Sequence, residues 1–191
     1  MKIITVTLNP CIDCDYKLSA PFKAGELNRV PAPTVTYSGK GINVSKALLK
    51  MGRASVTMGI FGSDGVAEKL RDMGLEVSAV YCAGSTRKNT AIIDSDGVQT
   101  QINEPGLEVS ADKMREFIGL FKSELNCQGG VVAVLSGSVP PGVSKDIYKK
   151  LSLKFTEDVE YIDAEIRKLA SVTVCYELQP EHITGKIVNE A

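Results

Sequence analysis

The feature that most constrains this chain is an alternation of short apolar runs with amphipathic stretches in its first half. Residues 3–8 (IITVTL) are β-branched and apolar and end at Asn9-Pro10, as a buried strand does. Residues 41–51 then place Val44, Ala47, Leu48 and Met51 at helical spacing, with Gly52 as the stop. Residues 55–61 (SVTMGIF) predict a second strand. Asp64 is positioned to cap a helix carrying Val66, Leu70 and Met73 and ended by Gly74, and residues 75–81 (LEVSAVY) predict a third strand. Strands joined through helices run parallel and are covered on both faces, so the fold class is α/β.

Two segments break this rhythm. Residues 10–38 carry prolines at 10, 21, 31 and 33, and residues 91–94 and 98–102 flank Ser95-Asp96-Gly97, the spacing of a β-hairpin. Pieces within 10–38 and 88–104 are expected to form a small sheet beside the core, a lid. Ser110 caps a further helix with Met114, Phe117, Ile118, Phe121 and Leu125 on one face. Residues 131–135 (VVAVL) then form a strand that runs into Ser136-Gly137-Ser138-Val139-Pro140. Past about residue 150 the character changes, with no glycine between Gly142 and Gly185. Residues 160–170 suggest a helix and 172–176 a strand. The organisation read from the sequence is 1–150 as one domain part and 151–191 as a tail of unknown role, native, fused or frameshifted.

Composition narrows the partners. The 22 basic and 23 acidic residues leave a net charge of −1, so there is no basic field for nucleic acid or anionic lipid. No stretch is long enough to span a membrane, and the first apolar run is too short for a leader. Five scattered cysteines form no disulfide framework and suggest a reducing cytoplasm. Cys11-x-x-Cys14 supplies two thiolates where structural zinc takes four ligands, and the single histidine, His182, lies in the tail. A small-molecule partner is expected.

The richest constellation is Ser38-Gly39-Lys40-Gly41-Ile42-Asn43-Val44-Ser45. Glycines before a helix let backbone approach a ligand, and the helix start favours an anion or a polar hydroxyl. Lys40 adds charge, and Asn43 can donate to or accept from a sugar hydroxyl. The G-x-x-x-x-G-K-[ST] spacing of a nucleotide-phosphate loop is absent, so this run is expected to face the acceptor substrate.

Asn9-Pro10-x-Ile12-Asp13, Gly39-Lys40-Gly41-Ile42-Asn43-Val44-Ser45, Thr86-Arg87-x-Asn89, Ile102-Asn103-x-Pro105-Gly106 and Ser136-Gly137-Ser138-Val139-Pro140 occur in this order. Together they resemble the phosphofructokinase-B branch of the ribokinase family, in particular its 1-phosphofructokinase and tagatose-6-phosphate kinase members, over about residues 1–150. The resemblance implies a ribokinase-like parallel core with a β lid and ATP-dependent phosphorylation of a ketohexose phosphate to a bisphosphate. It also implies ATP and Mg2+ as cofactors and a homodimer through the lid. Residue by residue, it implies that Asp13 accepts bonds from sugar hydroxyls and that Gly39 and Lys40 line the sugar pocket. Asn43 holds a hydroxyl, Arg87 clamps the phosphate already on the substrate, and Ser138 touches that phosphate. Arg29 and Asn103 are weaker candidates.

The chain departs from the family pattern in two places. Ser38 stands where the family has a second glycine. The Gly-Ala-Gly-Asp segment that supplies the catalytic aspartate and the anion-binding N–H groups does not occur in these 191 residues, nor does the Asn-x-x-Glu motif linked to magnesium. The expectation is that the C-terminal half of the fold is missing. The 191 residues would then keep the sugar-phosphate side of the site and carry no catalytic residue. The alternative to a kinase is a truncated, non-catalytic sugar-phosphate-binding fragment.

Overall fold

The computed structural model describes residues 1–127, 130–153 and residue 160. The chain divides into two compact units, Met1–Tyr148 and Lys149–Ala191. In the second unit only Lys149–Leu153 and Glu160 are described, so the helix and strand suggested for 160–170 and 172–176 lie, but for Glu160, outside the described residues.

The elements of the first unit are β1 (Lys2–Thr7), β2 (Cys11–Lys17), β3 (Thr34–Ser38), α1 (Lys40–Lys50), β4 (Val56–Phe61), α2 (Val66–Asp72), β5 (Glu76–Tyr81), β6 (Arg87–Ile93), β7 (Gln99–Asn103), α3 (Ala111–Leu125) and β8 (Val131–Leu135), with α4 (Ile147–Ser152) crossing into the second. Four strands form the core sheet in the order β5-β4-β1-β8, every pair parallel. The core strands lie within a residue or so of the apolar runs that predict them. With helices packed on this sheet, the fold is the ribokinase-like α/β class anticipated above.

The two central strands of the core sheet, β1 and β4, are the most buried, because they are largely apolar and flanked by a strand on each side. β4 is buried at all six positions. Ile42, Phe61, Val66, Ala67, Leu70 and Leu75 form one cluster between sheet and helices. In α3, Phe117 and Phe121 are both 0% exposed, and Ser110 caps the helix by accepting from the Lys113 amide at 3.3 Å.

The lid is a second four-stranded sheet, β3-β2-β6-β7, drawn from the two segments that lack the core rhythm. β2 pairs antiparallel with β3 but parallel with β6, and β6 pairs antiparallel with β7. Asp94 closes the β6–β7 turn by accepting from the Asp96 and Val98 amides at 3.0 and 2.9 Å. It also accepts from Phe22 N–H at 3.1 Å, which ties the 18–33 loop to the hairpin. These backbone donors, the Phe22 amide foremost, hold its carboxyl below the ordinary range.

Two details differ from the sequence expectation. The face of α1 turned to the sheet is Gly41, Ile42 and Ser45, not the Val44–Ala47–Leu48–Met51 stripe; Met51 is 60% exposed. The reason is close approach: a Cβ at Gly41 would stand 2.5 Å from the Val6 carbonyl oxygen, so only a small residue lets the helix down onto β1. Ser45 is tolerated there because its hydroxyl bonds Thr5 Oγ1 at 2.8 Å and Ser55 Oγ at 2.9 Å. Second, Asp64 does not cap α2, whose N-cap is Gly65 with no side-chain bond. Its carboxylate instead accepts from the Thr86 amide at 2.6 Å and the Thr86 hydroxyl at 2.9 Å, fixing the start of β6.

Candidate sugar-phosphate site

Where β1 ends, the chain turns through Asn9-Pro10 into the lid, and at the same edge β3 ends against the start of α1. The lid register then lines up polar side chains in rows. Ser38, Cys11 and Arg87 lie opposite one another on β3, β2 and β6. Two residues along, Thr36, Asp13, Asn89 and Asn103 form a row across all four strands. Residues paired in register share a face, so both rows look the same way.

Asp13 is half-buried, and its Oδ1 accepts from Asn89 Nδ2 at 2.9 Å and from the Cys11 thiol at 3.2 Å. Burial, reinforced by the Asp13 charge, pushes the Cys11 thiol up to about 12, so it stays a neutral donor. Cys14, three residues on, falls on the opposite face of the strand, so the two thiols do not meet in a redox or metal pair. The Lys46 ammonium donates to the Tyr37 carbonyl; burial pulls its pKa down, against the opposing pull of Asp13 and Cys11.

Gly39 precedes α1 at φ 150°, and a Cβ there would lie 2.5 Å from Thr7 Cγ2, so a glycine is required. The first turn of α1 is not wholly open to a ligand, because Thr7 Oγ1 accepts the Ile42 amide at 2.9 Å. Ser38 does not obstruct the loop: it is buried, and its hydroxyl bonds Asn43 Oδ1 at 3.2 Å, steadying a side chain that is otherwise exposed. Lys40 is exposed and lies beside Gly137, where a Cβ would sit 3.5 Å from the Lys40 Cβ.

Arg87 begins β6. Its Nη1 donates to the Glu104 carbonyl at 3.3 Å and its Nη2 reaches Ser138 Oγ at 3.5 Å, while its Nε is buried without a partner. Ser138 also accepts from Asn9 Nδ2 at 3.1 Å.

Asp13, Gly39, Asn43, Arg87 and Ser138 thus come together through short links. Asn43–Ser38 is one, Cys11–Asp13–Asn89 another and Arg87–Ser138–Asn9 a third, with Ser38, Cys11 and Arg87 in one register row. Lys40 joins through Gly137. Asn103 is exposed at the end of β7, directly opposite Asn89. Arg29 is exposed in the 18–33 loop, and among the described residues no hydrogen bond or ion pair joins it to the others. Sequence reasoning did not single out Asn9 or Asn89 as site residues, although both stand inside the motifs. Their roles depend on which strands pair.

The model of the pfkB family of carbohydrate kinases matches residues 3–159. The chain belongs to this family. Among solved structures it is similar to a possible 1-phosphofructokinase from Thermotoga maritima, at 34% identity and TM-score 0.70, over 80% of this chain and 50% of that one. It is also similar to phosphofructokinase-2 from Escherichia coli in complex with fructose-6-phosphate, at 27% identity and TM-score 0.70, over 80% and 50%. The tetrameric inhibited form of the same enzyme matches at 27% identity and TM-score 0.68, over 78% and 49%. The chain therefore spans about half the length of these pfkB-family structures.

Family membership implies ATP and a metal ion in general. Among the described residues no group of three or more His, Cys, Asp or Glu side chains is placed to hold a metal. The residues that converge here present hydrogen-bond donors and one carboxylate. They do not fit a magnesium–nucleotide seat, and no chemical step is assigned to one. Among the described residues no helix is long and apolar enough to cross a membrane.

Proposed function

We propose that this chain carries the acceptor side of an ATP-dependent sugar-phosphate kinase and binds a ketohexose phosphate, fructose 1-phosphate or tagatose 6-phosphate, whose phosphorylation gives a bisphosphate. The observation that carries this is Arg87. A half-buried guanidinium with an unpartnered Nε and only long contacts to Glu104 and Ser138 is under-satisfied until an anion arrives. Its planar fork matches phosphate oxygens.

Asp13 lies one strand over and two residues along from Arg87 in the register. A strand spacing of about 4.8 Å and a two-residue rise of about 6.6 Å put their backbones roughly 8 Å apart, a separation one phosphorylated hexose can bridge. Asp13 Oδ1 is occupied by Asn89 and Cys11, which leaves Oδ2 to accept from sugar hydroxyls. Asn43 and Lys40 complete the sugar side, and Asn103 flanks it. The E. coli relative bound to fructose-6-phosphate supports the substrate class.

Phosphoryl transfer needs a base at the acceptor hydroxyl and donors aimed at the migrating group. The Gly-Ala-Gly-Asp segment that provides both in the family does not occur in these 191 residues, which favours a second reading: a sugar-phosphate-binding chain without turnover of its own. Calorimetric titration with each ketohexose phosphate, paired with a coupled assay containing ATP and magnesium, separates the two. Binding without turnover supports the second. Turnover in the ordinary kinase range of about 1–100 per second supports the first. No binding of any sugar phosphate overturns both.

The opposite face of the lid supports a homodimer. Val35 and Ile102, in one register row with Cys14, are 47% and 62% exposed. Sedimentation of Ile102→Asp, expected to be monomeric where the parent chain is dimeric, tests it. Free thiols at Cys11, Cys14, Cys82 and Cys127 suit a reducing cytoplasm.

A further inference from the structure

Asn9 stands behind the phosphate side of this site. It is only 6% exposed, and its amide nitrogen donates to the Pro105 carbonyl at 3.0 Å and to Ser138 Oγ at 3.1 Å. A carbonyl oxygen only accepts, so the atom facing Pro105 must be the NH2 group of the amide, and the same group meets Ser138. Among the described residues the other group within reach of the Ser138 hydroxyl is Arg87 Nη2, which also only donates. Both neighbours therefore use the lone pairs of Ser138 Oγ, and neither can receive its proton.

We infer that Asn9 is a positioning residue that sets the polarity of the Ser138 hydroxyl. It turns the hydroxyl proton outward, so that Ser138 and Arg87 together form a donor-only seat for the phosphate group of the acceptor sugar. The inference rests on the sugar-phosphate reading above and extends it to a residue that does not itself touch the ligand. The surrounding chain holds Asn9 in this orientation. Its amide oxygen lies against Gly106, where a Cβ would collide with it, so the 104–109 loop closes over the amide and fixes it. A ligand group that donates, such as an ammonium, would find the Ser138 lone pairs already taken by Asn9 and Arg87. A phosphate or sulfate oxygen finds a hydroxyl and a guanidinium converging on it.

Asn9→Asp tests this with little change of shape. An ionised aspartate accepts where the amide donated, so the Ser138 proton turns inward and the seat loses a donor. A protonated aspartate can donate again. Sulfate is the probe, because it keeps its charge across the range in which a carboxyl titrates. With the full chain at about pH 7.5, sulfate should bind Asn9→Asp about tenfold more weakly than the parent, the scale of one hydrogen bond to a charged group. The ratio between the two proteins should shrink as the pH falls toward the ordinary carboxyl value of about 3.9. Circular dichroism checks that both remain folded.

Ser138→Ala, at an exposed position, should lose a similar factor and serves as the deciding variant if Asn9→Asp does not fold. A pH-independent deficit in Asn9→Asp would show that Asn9 only ties the loop down. Unchanged sulfate binding by Ser138→Ala would show that the hydroxyl donates nothing. Either result overturns the inference while leaving the sugar-phosphate reading in place, provided Arg87→Ala still weakens binding. If the parent chain binds neither sulfate nor fructose 1-phosphate, the reading itself fails and the inference with it.

Discussion

The core sheet and the lid each contain four strands, yet they are built on opposite principles. β4 is buried at all six positions and β1 at its last four, whereas β7 in the lid is exposed at four of five. The core strands are parallel and largely apolar and pack against helices. The lid is mixed, with polar rows on one face and half-exposed apolar residues on the other. The contrast assigns the two sheets different work. The core holds the chain together through apolar burial, while the lid carries groups that a packed interior would not tolerate unpaired, such as Asp13 and Arg87. Stability and binding should therefore respond to different substitutions.

The largest expected effect is in the core. Phe61→Ala empties the centre of the main apolar cluster, where Phe61 is 0% exposed, and should cost about 3–5 kcal/mol of stability in urea unfolding. A lid substitution with an equal cost, Ile102→Ala for example, would show that the lid is covered by apolar packing as well and would break the comparison.

Next comes the binding side. Arg87→Ala should weaken fructose 1-phosphate by about 1.5–3 kcal/mol in calorimetric titration and leave the unfolding midpoint nearly unchanged. Lys150→Ala, which removes an exposed charge, should alter neither. Equal effects from the two substitutions would remove the phosphate-clamp role.

Ser45→Ala probes a polar seam in the core. It leaves the buried Thr5 and Ser55 hydroxyls short of a partner and should cost about 1–3 kcal/mol of stability, with sugar-phosphate affinity unchanged. A loss of affinity would mean that the seat of α1 and the site are coupled.

The smallest effect is a matter of pH. Cys127 is exposed and should alkylate readily, while Cys11, 4% exposed and pushed up to about 12, should resist until the pH approaches that value. The sign of the accompanying stability change follows. Cys11 keeps its proton longer in the fold than in the unfolded chain, so it has no effect at neutral pH and lowers stability as the pH rises from about 9 toward 12. Peptide mapping after alkylation at stepped pH reads the first effect, and unfolding at the same pH values reads the second.

Much of this protein was legible before its structure. Continuous apolar runs such as IITVTL and SVTMGIF mark buried parallel strands because such a strand has no solvent face to alternate with. Ser95-Asp96-Gly97 marked the hairpin, and Ser110 the start of α3, through local backbone chemistry. The ordered motifs carried the family, and the match over residues 3–159 agrees.

The sequence by itself determined the elements, because periodicity and capping act over a few residues. The tertiary structure decided what those elements face. The parallel pairing of β2 with β6 brings Asn89 onto Asp13, and no local pattern encodes a pairing between residues 76 positions apart. Asp64 looked like a cap and holds Thr86 instead, because the fold brings two Thr86 donors to its carboxylate while Gly65 takes the N-cap position. α1 turns glycine and serine to the sheet because close approach to β1 selects for size, and a buried hydroxyl is acceptable once Thr5 answers it. Asn9 reads as a strand-ending residue in the sequence. Only the fold delivers Pro105 and Ser138 to its amide, and with them the direction of a proton.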